Sequence, residues 1–209
     1  MYLSKLILNE REGYVHRELG NAHALHQRIM QAFPDEQRLN SRQDWNVLYR
    51  HEPDSLVVLV QSDLKPDWSR LPLNYFAEPC CEPKPLMAIA GTLAVGRVFQ
   101  FRLKANPSKR DKQSGKTIGL NGRENQLAWL VRQSQLKGFT VHGVDVVSMP
   151  DLVGRKKTGL PPIRIQAVLF QGVLEITDVR LFEAALRCGI GRGRSYGCGL
   201  LSLARLRSN

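Results

Sequence analysis

The sequence predicts an α+β fold in two domains, and three observations carry that expectation. A β-α-β-β-α-β order of elements can be traced twice along the 209 residues. The length suits two domains of about 100 residues each. Apolar residues make up 43% of the chain, enough for ordinary cores, yet no apolar run reaches membrane-spanning length.

In the first half, Tyr2 to Leu8 is leucine-rich and partly alternating, as a strand requires. Asn21 is a helix N-cap, and Ala22, Leu25, Ile29 and Phe33 follow at helical spacing up to Pro34. Trp45–His51 and Leu56–Gln61 read as strands joined by the turn-prone Glu52-Pro53-Asp54-Ser55. A short helix is expected over Leu71–Ala77, and the Pro- and Cys-bearing stretch 79–93 shows no clear closing strand.

The second half opens with a strand at Val98–Leu103. Arg123–Lys137 is a helix stopped by Gly138, with Leu127, Leu130 and Val131 expected on its apolar face. Phe139–Val147 and Ile163–Phe170 read as strands, and Val173–Thr177 as another after a Gln171-Gly172 turn. Asp178 caps a helix running to about Arg187, and Leu200–Leu206 closes the order as a strand. The doubled order is that of two ferredoxin-like (RRM-like) domains in tandem, divided into 1–92 and 97–209.

Charge narrows the partners. Thirty Lys plus Arg against nineteen Asp plus Glu leave a formal net charge of +11, the footprint of a protein that meets a polyanion. With no signal-peptide arrangement at the start, the expected setting is soluble and cytoplasmic, with nucleic acid rather than membrane as partner. Cys80, Cys81, Cys188 and Cys198 form no C-x-x-C pair, so reduced structural cysteines are expected, with no metal or other cofactor.

Three segments carry the chemistry. Gly189-Ile-Gly191-Arg192-Gly193-Arg194-Ser-Tyr196-Gly197-Cys-Gly199 fits neither a dinucleotide fingerprint nor a P-loop. Its arginines and tyrosine suit a phosphate-rich polymer, and its glycines would let one approach; a ligand-free glycine hairpin is the other reading. Arg155-Lys156-Lys157, between glycines and a Pro-Pro, reads as an exposed hairpin tip, either a solvated face or a nucleic-acid contact. Arg102, Lys104, Lys109 and Arg110 form a second basic block.

His23 and His26 lie three residues apart on one flank of the first helix, beside its apolar row. Three readings compete: a metal site, for which they lack the H-E-x-x-H spacing and an evident third ligand, ordinary partly buried histidines, or a proton-transfer pair. RNA supplies its own nucleophile, the 2′-hydroxyl, so a base, an acid and cations for the phosphate would suffice.

The pattern Gly189-Ile190-Gly191, five residues, then Gly197-Cys198-Gly199 resembles the signature loop of the CRISPR repeat-processing endoribonucleases. Tyr2–Asn9, Val57–Gln61, Pro66-Asp-Trp68, Phe101–Arg110 and Gln166–Gly172 extend the likeness to the type I-E branch, the CasE-type subunits of Cascade. It covers most of the chain, with about 34–44 and 76–95 unmatched. The resemblance implies metal-independent cleavage of the CRISPR precursor at the base of each repeat stem-loop, leaving 2′,3′-cyclic phosphate and 5′-hydroxyl ends. It also implies retention of the mature guide RNA with the other Cascade subunits. The family's catalytic histidine falls on His26; where members often carry a tyrosine three residues earlier, this sequence has His23. Arg155, Lys156 and Lys157 take the place of the family's groove-inserting hairpin. A non-catalytic stem-loop-binding scaffold is the alternative, and it would have no use for His26.

Overall fold

The structure, a computed structural model, describes residues 1–35, 45–78, 82–86, 91–155 and 161–206. It is a mixed α/β fold with antiparallel sheets, and it divides into two compact units. Unit 1 comprises Met1–Ala88, Leu152–Arg164 and Arg194–Gly197; unit 2 comprises Ile89–Asp151, Ile165–Gly193 and Cys198–Asn209. Cys80, Cys81, Lys156 and Lys157 lie outside the described residues.

Unit 1 is built on a four-stranded sheet. Its strands are β1 (Tyr2–Ile7), β2 (Leu48–His51), β3 (Val57–Ser62) and the two-residue β4 (Lys84–Pro85), in the order β2-β3-β1-β4. Helices α1 (Gly13–Leu19) and α2 (Ala22–Met30) follow β1. Alternation along β1 exposes Lys5 and Ile7 and buries Leu6, which joins Leu25, Ile29, Phe33, Val58 and Trp68 in one core. Asn21 caps α2 as its sequence predicts, accepting from the His23 N–H at 3.2 Å.

Helix α1 was not legible beforehand, because its N-cap, Glu12, makes no side-chain cap bond. Arg28 ties it to α2 through a forked ion pair with Glu18, and stacks over the Tyr14 and Tyr75 rings at 5.8 and 5.3 Å. The pair raises Arg28 above its ordinary pKa, and burial pushes the Tyr75 phenol well above its own. The helix expected over Leu71–Ala77 is instead a pair of 3₁₀ turns, Trp68–Arg70 and Leu73–Tyr75, with Pro72 between them unable to continue an α-helix.

Unit 2 carries the sheet order β12-β5-β11-β8, from β5 (Val98–Ala105), β8 (Phe139–Ser148), β11 (Val168–Ile176) and β12 (Leu201–Arg205). Helices α3 (Arg123–Leu136) and α4 (Val179–Cys188) cover a core of Phe101, Leu103, Trp129, Leu130, Phe170, Leu174 and Phe182. The α3 face is rotated from the expected one: Gln126, Trp129 and Leu130 are buried while Val131 is 38% exposed. Asp178 caps α4, accepting from the Leu181 N–H at 3.0 Å.

The Gln171-Gly172 turn does not form. Both residues lie inside the continuous strand β11, where the register against β8 shifts between Gln171 and Val173. Gly143, with φ of +55°, supplies the bulge on β8, and a Cβ on Gly172 would stand 2.7 Å from its carbonyl oxygen. The two glycines form a bulge rather than a chain reversal.

Two short ribbons complete the fold: β6 (Ser108–Arg110) with β7 (Thr117–Gly119), and β9 (Leu152–Gly154) with β10 (Ile163–Ile165). Among the described residues no helix is long and apolar enough to cross a membrane.

Candidate functional site

Helix α2 turns one edge toward three segments of unit 1 that are distant in sequence. His26 is buried, and its ring stacks on Tyr49 of β2 with centroids 6.2 Å apart and planes 13° apart. The Tyr49 hydroxyl donates to the Ser195 carbonyl at 2.8 Å and approaches that of Ala22 at 3.3 Å. One side chain therefore touches the histidine ring, the start of α2 and the 3₁₀ turn Arg194–Tyr196. His23, half-buried, lies one turn earlier on α2.

The β9 ribbon forms the next wall. A Cβ on Gly154 would stand 2.7 Å from Tyr196 Cε1 and 3.6 Å from His23 Cβ, so the ribbon backbone runs against both residues. Past Gly154, the Arg155 N–H donates to Asn21 Oδ1 at 3.0 Å, and Asn21 Nδ2 donates to the Arg155 carbonyl at 3.3 Å. This holds the exposed Arg155 at the entrance of α2.

His23, His26, Arg155, Arg194, Tyr196 and Gly197 thus belong to one unit. Arg102, Lys104, Lys109, Arg110, Gly191, Arg192 and Gly193 belong to the other. Arg102, Lys109, Arg110 and Arg192 are exposed; Arg192 reaches the Thr117 hydroxyl on β7, which braces the basic ribbon β6–β7. Lys104, expected among the surface cations, is only 5% exposed, although Arg102 two residues earlier on the same strand is exposed. Its charge acts on Cys198 instead; burial pushes that thiol up to about 12, with Lys104 opposing the shift.

The glycine loop has an internal cause. Gly189, Gly191, Gly193, Gly197 and Gly199 all take φ between +77° and +94°. A Cβ on Gly197 would come 3.1 Å from Tyr49 Cε2, and one on Gly191 would come 2.9 Å from Trp129 Cζ2. The chain's own packing requires these glycines before any ligand is considered.

Tyr49, Ser195 and the second role of Asn21 escaped sequence reasoning. Among the described residues no group of three or more His, Cys, Asp and Glu side chains is placed to hold a metal ion. The chemistry on offer is two imidazoles, one buried and one half-buried, with cations at the rim.

A protein-family model described as CRISPR associated protein matches residues 1–205. The chain belongs to this CRISPR-associated family. It is 36% identical over 218 residues to the CRISPR-associated endoribonuclease Cse3 of Thermus thermophilus, covering 98% of this chain and 100% of that one. It is 31% identical over 222 residues to the Cascade subunit CasE of Escherichia coli K12, covering 99% and 100% of the two chains. A solved structure of Thermus thermophilus Cse3 bound to an RNA representing a pre-cleavage complex matches it with a TM-score of 0.82 at 34% identity, covering 97% and 98% of the chains. Family membership thus rests on near full-length agreement, and the histidine edge of α2 lies inside the matched region.

Proposed function

We propose that this CRISPR-associated chain is a metal-independent endoribonuclease that cleaves CRISPR precursor RNA within each repeat, at the base of the stem-loop. One observation carries the site assignment. His26 is held against Tyr49 beside His23 on α2, with Arg155 fixed at the start of the same helix. The reaction follows from the relatives, an endoribonuclease and a Cascade subunit, one of them solved with a pre-cleavage RNA.

His26 and His23 supply the base and the acid. One removes the proton from the 2′-hydroxyl, whose oxygen attacks the adjacent phosphorus; the other protonates the departing 5′-oxygen. The bond to the 5′-oxygen breaks as the new one forms, leaving a 2′,3′-cyclic phosphate and a 5′-hydroxyl. Arg155, with Lys156 and Lys157 beyond it, neutralises the phosphate, and the exposed Arg102, Lys109, Arg110, Arg192 and Arg194 add cations for the rest of the backbone. Tyr196 offers a ring face to a base.

Each unit is read as ferredoxin-like in its four-stranded sheet, and the two sheets fall within the expected tandem domains 1–92 and 97–209, although the hairpin 152–164 and the turn 194–197, expected in the second domain, group with unit 1. Numbered within its own sheet, each four-stranded sheet runs 4-1-3-2, as β4-β1-β3-β2 and β12-β5-β11-β8. The protein acts in the cytoplasm and stays with the mature guide RNA among the other Cascade subunits.

The test is single-turnover cleavage of a CRISPR repeat RNA in EDTA, with mapping of the ends. One cut with cyclic-phosphate ends is expected, and a 2′-deoxy residue just upstream of the cut should leave the RNA bound and whole. His26→Ala should slow cleavage by about a hundredfold or more. Affinity should change by less than about tenfold, because a buried imidazole adds little to phosphate neutralisation. Wild-type cleavage by a folded His26→Ala variant would remove His26 from the reaction.

A further inference from the structure

The Asn21 side chain makes more bonds than a helix cap needs. Capping uses one acceptor, and Ser, Thr or Asp would serve equally. Asn21 Oδ1 accepts from two N–H groups, His23 at 3.2 Å and Arg155 at 3.0 Å, while Nδ2 donates to the Arg155 carbonyl at 3.3 Å. The amide therefore reads both backbone groups of one residue 134 positions away, a pairing that needs a donor and an acceptor on the same short side chain. Neither a hydroxyl nor a carboxylate can copy it at that reach. The preceding residue, Gly154, is fitted to the same place, since a Cβ there would collide with Tyr196.

We propose that Asn21 is a positioning residue for RNA cleavage: its amide fixes the base of the basic hairpin to the helix that carries His23 and His26, so that the Arg155 cation and the imidazoles address the same phosphate. This rests on the reading of the site given above. The cap and the clamp share one oxygen, so movement of the hairpin is movement relative to the start of α2. A displacement of about 1 Å between catalytic groups is enough to cost on the order of a hundredfold in rate.

Substitution separates the two duties. Asn21→Ser keeps a capping oxygen and loses the reach to Arg155; Asn21→Asp keeps acceptors for both N–H groups and loses the donor; Asn21→Ala loses everything. The measurements are thermal unfolding, affinity for a CRISPR repeat stem-loop RNA, and single-turnover cleavage at saturating RNA. The Ser variant should unfold close to the wild-type temperature and cleave about ten- to a hundredfold more slowly. Its dissociation constant should stay within about threefold, since no phosphate-neutralising charge is removed. The Asp variant should also cleave more slowly than wild type, because a carboxylate oxygen would face the Arg155 carbonyl where Nδ2 now donates, and Ala should lose stability as well as rate. If wild type cleaves and the Ser variant matches it, Asn21 is only a cap and the inference falls alone. A loss of rate in the Ser variant that merely tracks its folded fraction overturns it as well. If wild type leaves the RNA whole, the reading of the site falls and the inference with it.

Discussion

Removing a single oxygen tests how the site is held. Tyr49→Phe keeps the ring that stacks on His26 and deletes the hydroxyl that reaches Ser195 at 2.8 Å. Tyr49 is 1% exposed and Ser195 half-buried, so water replaces the lost partner only in part. The Ala22 carbonyl stands at a helix start, and its 3.3 Å approach is the lesser loss. The cost is then one part-buried hydrogen bond and the weaker buried approach to Ala22, about 1–2 kcal/mol. For a cooperative chain of 150–250 residues this lowers Tm by roughly 2–8 °C. If all of it appears as loss of the competent arrangement of the 194–196 turn, cleavage falls by a factor of about 5–30. Tyr49→Ala should be worse, because emptying a buried aromatic site costs about 3–5 kcal/mol. Thermal unfolding and single-turnover cleavage, run on the same preparations, give both numbers. A Phe variant as stable and as fast as wild type would refute the claim that this hydroxyl holds the turn against α2.

Replacing Arg155, Lys156 and Lys157 together should weaken RNA affinity and flatten its log–log salt dependence, by up to roughly one unit of slope for each phosphate left without its cation; an unchanged slope would make the tip a solvated face. Gly197→Val should lose stability and RNA binding in parallel, since φ is +81° and its Cβ would press on Tyr49; weaker binding at full stability would instead place RNA against the loop backbone. Cys198 gives a pH signature. Its thiol is pushed from 9.0 up to about 12, so its contribution is complete below about pH 9 and is lost as pH rises toward 12. Cys198→Ala should therefore show a shallower alkaline fall in Tm than wild type, and equal slopes in the two proteins would contradict that assignment.

Local signals were the legible ones. Asn21 and Asp178 announced their helices because a cap acts within three residues of itself. Gly138 marked the end of α3 because φ there is +72°. The residues misread are those whose meaning depends on distant partners. Gln171-Gly172 looks like a turn until Gly143 of the neighbouring strand bulges against it. Lys104 resembles its exposed neighbour Arg102 until the fold brings it, buried, near Cys198, 94 residues further along the chain. His23 and His26 were visible as a pair, but nothing near them in sequence points to Tyr49 or Ser195.

That dependence has a consequence for when activity can arise. The bonds that finish the site join Asn21 to Arg155 across 134 residues and Tyr49 to Ser195 across 146. Loops of that size close late, after sheets built from nearer pairings such as β2 with β3. A nascent chain can therefore bury its first core and present both histidines before it owns the Ser195 carbonyl or the Arg155 peptide that hold their neighbours in place. Such an early form should be folded in part and slow at the proposed site, so cleavage there should be withheld until residue 195 has been made.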